Sequence, residues 1–158
     1  MKIAPTIEGG LKIEPESEED WYVLRAICQD AKGGENDLAS RMGDLITDEK
    51  ISEDWNDIVV PDLRESFWDD LHHVSAEIDS AAAFAKHEEA AIWITQDDAP
   101  NWYSALNQAR LALEEAHHFG NELEIEIEKF GPVQREAFFR NQFYCALQSF
   151  ILERVMNC

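Results

Sequence analysis

The residues with the most chemical potential lie in NWYSALNQARLALEEAHHFG, residues 101–120, which holds two overlapping Glu-x-x-His pairs, Glu114/His117 and Glu115/His118. A carboxylate three positions before an imidazole is the ligand pattern that dimetal helical bundles draw from two of their helices. It also suits zinc or iron more generally. With Trp102 at zero on a helical wheel, the first pair is centred near about 90° and the second near about 190°, so one site can use at most one of them. Glu114/His117 borders the apolar stripe, whereas His118 faces outward. A matching set, Asp70, His73 and Glu77, lines one edge of the stripe of the preceding helical segment, with His72 facing away. The expected metal set is therefore His73, His117, Glu114, Asp70 and Glu77. A complete dimetal pattern also needs an inward glutamate from each of two further helices, and the other segments offer only Glu136, Glu153 and capping acids. Among 33 acidic residues in 158, such pairs also arise from local pairing of histidine with carboxylate.

Other chemistry lacks its signature. The chain contains no G-x-S-x-G, Walker A or G-x-G-x-x-G string. Its three cysteines, Cys28, Cys145 and Cys158, form no C-x-x-C pair and read as reduced thiols. No catalytic residue and no bound organic cofactor is expected.

The elements that would position these residues are mostly helical. Lys2-Ile3 and Thr6-Ile7 lead through Gly9-Gly10 to Leu11 and Ile13, the pattern of a small hairpin. Ser17 followed by Glu18-Glu19-Asp20 caps a helix with Trp21, Leu24, Ile27 and Cys28 on one face, ending near Gly33-Gly34. Leu38, Met42 and Leu45 suggest a short helix, and DEKISEDWNDIVVP reads as a loop with one helical turn, ending at Pro61. From Asp62 to about residue 88, Leu63, Phe67, Leu71, Val74, Ile78, Ala81 and Ala85 make a clear amphipathic stripe. AIWIT, residues 91–95, is a brief strand or an extended lead-in. Thr95-Gln96-Asp97-Asp98 then caps a helix with Trp102, Leu106, Ala109, Leu113 and Ala116 on one face, stopped by Gly120. NELEIEIEK alternates strictly, which favours a strand near 122–128, with a helix as the alternative.

The last segment, 132–156, is apolar nearly all round: Phe138, Phe139, Phe143, Phe150 and Leu152 join Val133, Tyr144, Leu147, Ile151 and Val155. A helix of that kind sits at the centre of a bundle or in an oligomer interface. Phe138, Phe139, Phe143, Phe150 and Leu152 are the expected interface residues of a homodimer. Trp55 and Trp68 lie off the stripes and suit a partner surface. The fold expected is mainly α, a helical bundle with a small N-terminal β-hairpin joined by a third strand near 122–128. Residues 1–158 are expected to form a single acidic helical domain.

Net charge constrains the partners. The chain carries −20, yet 132–156 carries +1 from Arg135, Arg140 and Arg154 against Glu136 and Glu153. Such an anionic exterior argues against direct nucleic-acid or anionic-membrane binding and favours a basic protein partner. No apolar run reaches the ~20 residues of a transmembrane helix, and MKIAPTIEGG lacks the apolar core of a secretory signal. A cytoplasmic protein is expected.

One string is more specific than its chemistry. Trp102-x-x-x-Leu106-Asn107-x-x-Arg110-Leu111-x-Leu113 resembles the signature of an uncharacterised, mainly actinobacterial family of unknown function. Its members are often encoded beside the Clp protease adaptor, and some are labelled transcriptional regulators. The resemblance covers about residues 1–113. Beyond it, Glu114-Glu115-Ala116-His117 stands where such proteins tend to continue Gly-Thr-Arg-Leu. It implies no catalytic residues; Asn107 and Arg110 read as structural. The sequence thus points to a non-enzymatic cytoplasmic regulator or adaptor acting through protein contacts. The alternatives are a divalent-metal-binding bundle and an acidic DNA mimic.

Overall fold

The computed structural model describes residues 1–33, 37–85, 90–120 and 125–157. Strand β1 (Lys2–Pro5) pairs antiparallel with β2 (Leu11–Glu14) in the register Ile3 opposite Ile13. The turn closes because Gly9 adopts φ +84, open to glycine at no steric cost, while Thr6 Oγ1 accepts from the Gly10 amide at 2.8 Å. Every second residue of β2, Leu11 and Ile13, is fully buried, as the period of a half-covered sheet requires.

The third strand is β3 (Ile92–Ile94), antiparallel to β2 with Leu11 opposite Ile94. Among the described residues it is the 91–95 run that completes the sheet. Residues 122–124 lie outside the described residues, and Ile127–Lys129 form a 3₁₀ turn. Of the alternating residues that are described, Ile125 and Ile127 are only partly covered. Alternating glutamates belong to a strand only when a core takes the other face, and β2 already has its partner.

The first three helices begin at side-chain caps, of which Ser17 was the one expected. Ser17 accepts from the Asp20 amide to start α1 (Glu18–Ala31), Asp37 from Ser40 to start α2 (Leu38–Gly43), and Asp48 from Ile51 to start α3 (Glu49–Asp54). The segment read as a loop with one helical turn before Pro61 is helical from Glu49 onward. A π segment, Trp55–Val59, runs from α3 directly into α4 (Val60–Phe84), and Pro61 sits in the first turn of α4, where its missing N–H is tolerated. Trp55, read as a partner-surface candidate, packs onto Gly43; a Cβ there would meet its ring at 3.1 Å.

Helix α5 (Ala99–His117) is the centre of the fold, touching α1, α4 and α6 (Pro132–Ile151). Its buried residues, among them Trp102, Ala105, Leu106, Ala109, Ala112 and Leu113, lie on more than one side, and the alanines let its neighbours approach. His118 ends it with φ +49, and Gly120 follows with φ +90; the left-handed stop is thus set by the histidine, one residue after the helix.

Of the two places expected for helix α6, the centre of the bundle is not the one it takes, because the chain covers only part of its surface. Ala137, Phe138, Tyr144, Leu147, Gln148 and Ile151 face the core, while Val133, Phe139, Phe150 and Leu152 stand exposed. A buried polar pair fixes its seat. Arg140 donates to Asp30 from Nε at 2.8 Å and Nη2 at 3.0 Å, and Tyr144 Oη donates to the same carboxylate at 2.7 Å. Burial, then the Asp30 charge, pushes the Tyr144 phenol far above its ordinary value. Arg110 donates to Gln148 of α6 at 2.5 Å, and Gln148 donates to the Tyr103 carbonyl at 3.3 Å. Arg110 is structural, as its sequence position suggested.

Candidate functional site

Helices α4 and α5 run antiparallel. Gln108 donates to the Phe67 carbonyl, Asn101 to Asp70 at 2.9 Å, and His73 reaches Asp98 at 3.1 Å, so the middle of α4 lies beside the start of α5. That geometry separates the two halves of the expected metal set. His117 closes α5 at the end opposite Asp98, roughly 28 Å away at a rise of about 1.5 Å per residue. Its ring stacks on Phe119 with centroids 5.8 Å apart, and its carbonyl accepts from Gln134 at 2.8 Å. Glu114 is exposed, and Glu115 pairs with Arg41 at 2.9 Å. His118 is exposed. The Glu-x-x-His string that drew attention first is thus a helix end, and His117 and Glu114 are corrected out of the set. Asp70 is engaged by Asn101.

His73 and Glu77 do converge, with a residue that sequence reading assigned to another task. Nε2 of His73, a carboxylate oxygen of Glu77 and one of Asp98 lie within 4.8 Å of one another. His73 Nε2 is 3.1 Å from Asp98 Oδ1 and 3.6 Å from Glu77 Oε1. Asp98 was read as a helix cap. It occupies that position, but its side chain makes no capping bond and turns instead to Thr95 and His73. Thr95 donates to Asp98 Oδ2 from its hydroxyl at 2.5 Å and its amide at 3.2 Å. On the other side, Trp102 Nε1 donates to Glu77 Oε2 at 2.5 Å. Trp102 thus fills the core with its ring and holds a carboxylate with its nitrogen, a double role that an apolar stripe alone does not reveal.

The two carboxylates respond differently to this setting. Burial pushes Asp98 up, but the Thr95 bonds and His73 outweigh it and leave the carboxyl below its ordinary range. Burial dominates at Glu77 and, helped by the Asp98 charge, raises it despite the Trp102 bond. All three groups remain partly open to solvent, with side-chain exposures of 39% for His73, 25% for Glu77 and 20% for Asp98. His73 and Glu77 border an open groove of about 760 Å³ that His72, Phe84 and Trp93 also line.

A second surface lies across the molecule on α6. Phe139, Phe143, Ala146 and Phe150 fall at spacings of four, three and four and share one outward face. Phe139 and Phe150 are 57% and 44% exposed, Ala146 is exposed, and Phe143 is partly buried. Phe139 and Phe143 also line an apolar groove of about 520 Å³ with Ile3, Tyr22 and Val23, rimmed by Glu19, Asp20 and Glu136. Of the expected interface residues, Phe138 belongs to the chain's own core, edge-on to Phe119 at 5.4 Å. Leu152 is exposed but lies on roughly the opposite side of the helix from Phe143 and Phe150.

Comparison with known proteins gives a family without an activity. The sequence model of a family described as a domain of unknown function, DUF2017, matches residues 10–152. That span takes in α6, which the sequence resemblance had left outside. Neither the curated proteins nor the solved structures contain a match to the chain. Among the described residues, no helix is long and apolar enough to cross a membrane.

Proposed function

The chain belongs to the DUF2017 family of unknown function, and from that premise we propose that it is a non-enzymatic regulatory or adaptor protein of the cytoplasm, homodimeric through α6, whose acidic shell receives a basic protein partner. The observation that carries this reading is the row Phe139–Phe143–Ala146–Phe150, exposed except at the partly buried Phe143. Three aromatics in line on a monomer surface expose the kind of contiguous apolar patch that marks an interaction site. Their spacing is that of a two-helix seam. The row is also self-complementary when two copies run antiparallel. Phe139 then meets Phe150 of the partner subunit, and Phe143 meets the partner's Ala146, large against small. A two-fold axis requires one patch to match itself in this way.

Charge supports the same face. Two chains of −20 repel, so association is least opposed where the charge is lowest, and 132–156 carries +1. The apolar groove beside Phe139 extends the patch toward α1 and β1. Elsewhere the surface is strongly anionic, which favours a basic partner and disfavours nucleic acid. The expected setting beside a protease adaptor agrees with an adaptor's role.

Light scattering at micromolar concentration checks the dimer. Phe150→Glu places a charge in the seam and should leave a monomer with an unchanged circular dichroism spectrum. Leu111→Glu, on an exposed part of α5 away from the seam, should leave the dimer intact. Equal masses for wild type and Phe150→Glu would remove α6 from the account.

A further inference from the structure

We propose that His73, Glu77 and Asp98 form a binding site for one divalent transition-metal ion of the zinc type, between the middle of α4 and the start of α5. The site is independent of the α6 seam.

The donor set comes first. One imidazole nitrogen and two carboxylate oxygens are the ligands that zinc and its neighbours accept in mixed sites. Metal–ligand bonds of about 2.1 Å in a tetrahedral shell put ligand atoms about 3.4 Å apart. The separations at His73 Nε2, 3.1 Å to Asp98 and 3.6 Å to Glu77, bracket that value.

The second observation is the division of labour within each carboxylate. Asp98 gives Oδ2 to Thr95 and turns Oδ1 toward His73. Glu77 gives Oε2 to the Trp102 indole and turns Oε1 toward the same nitrogen. Each acid is oriented by an outer hydrogen bond on one oxygen and leaves the other for the centre, which is how metal ligands are held. The orienting groups come from a loop residue and from the buried face of α5, neither of them part of the three-residue cluster. A bare His⁺–carboxylate pair needs no such clamps.

Access is the third. Two of the three ligands, His73 and Glu77, line the open groove of about 760 Å³, so an ion can enter and keep a solvent or ligand position on that side. His72 and Asp69 line the same groove.

Calorimetric titration of Zn²⁺ into tag-free, chelator-stripped full-length protein tests the site. One ion per chain is expected. His73→Gln and Asp98→Asn should each weaken binding by at least about 100-fold, and Thr95→Val by about 10-fold, the usual loss on removing an outer-shell partner. A double His117→Gln, His118→Gln variant should bind as wild type does. Circular dichroism checks that each variant folds, and Glu77→Gln stands in if His73→Gln does not. Absence of saturable binding overturns the proposal, as does equal affinity in the His73 and Asp98 variants. Loss of binding in the His117/His118 variant would place the ion at the end of α5 and overturn it too.

Discussion

At the scale of single residues, the molecule separates groups that hold the fold from groups left available. Asp30 belongs to the first kind, satisfied by two Arg140 nitrogens and the Tyr144 hydroxyl, with side-chain exposures of 12% and 16% for Asp30 and Arg140. Removing one partner of such a pair strands the other. Asp30→Ala should therefore cost about 3 kcal/mol in urea unfolding, and a loss below about 1 kcal/mol would show that water replaces the carboxylate. Cys28 is equally committed. Burial pushes its thiol up to about 11 and its Sγ donates to the Leu71 carbonyl, so it is no nucleophile at neutral pH. His73, Glu77 and Asp98 are different: each of the two acids is anchored on one oxygen and turns the other toward His73 Nε2. Sequence reading found His73 and Glu77 because both sit on one edge of a stripe. It missed Asp98 because an aspartate before a helix has a common explanation in capping. The same helical arithmetic placed Glu114/His117 on a plausible face of the second helix. Only the antiparallel pairing of α4 and α5 puts His117 at the wrong end.

At the scale of elements, the Ser17 cap was readable and the Asp37 cap, of the same kind, was passed over. Ser17 and Asp37 each accept from the amide three residues on, a local interaction that needs no knowledge of the rest of the fold. Burial pushes Asp37 up, but the Ser40 amide and Arg64 outweigh it and hold the carboxyl below 3.8, its ordinary value. A depressed carboxyl stabilises the fold above the unfolded value and loses that contribution as pH falls through the folded one. Asp37→Ala should thus lose about 1 kcal/mol at pH 7. The deficit should shrink as pH drops below about 4, which denaturation at several pH values would reveal. A deficit constant with pH would mean that the substitution weakens α2 through packing alone. What the sequence left open were the choices among equals. A third strand for the hairpin was expected near 122–128, with 91–95 as another brief strand, and the described sheet takes 92–94, whose Ile92 and Ile94 are buried. Likewise α6 read as the centre of a bundle or an oligomer interface, and α5 takes the centre. The alanines of α5 allow neighbours on several sides, whereas the phenylalanines of α6 exceed what one core face can take, and the surplus stands outside.

At the scale of the whole molecule, charge governs association. The screening length falls from about 30 Å at 0.01 M salt to about 3 Å at 1 M. The net charge of −20 makes the compact state self-repelling, so the melting temperature should rise by several degrees across that range. A fall would show that attractive pairs such as Arg41–Glu115 outweigh the net repulsion. Salt should also divide the two proposed contacts. Pairing through α6 strengthens as like-charged chains are screened, while docking of a basic partner weakens because it relies on exposed charge. The central claim is that the aromatic row on α6 meets its own copy. Sedimentation equilibrium of the wild-type chain tests it most directly. The account predicts a mass twice the 18.1 kDa of one chain at micromolar concentration, held more firmly at high salt. A mass of one chain at every concentration up to about 100 micromolar, where even a Kd near 1 µM, about −8 kcal/mol, would leave mostly dimer, contradicts it.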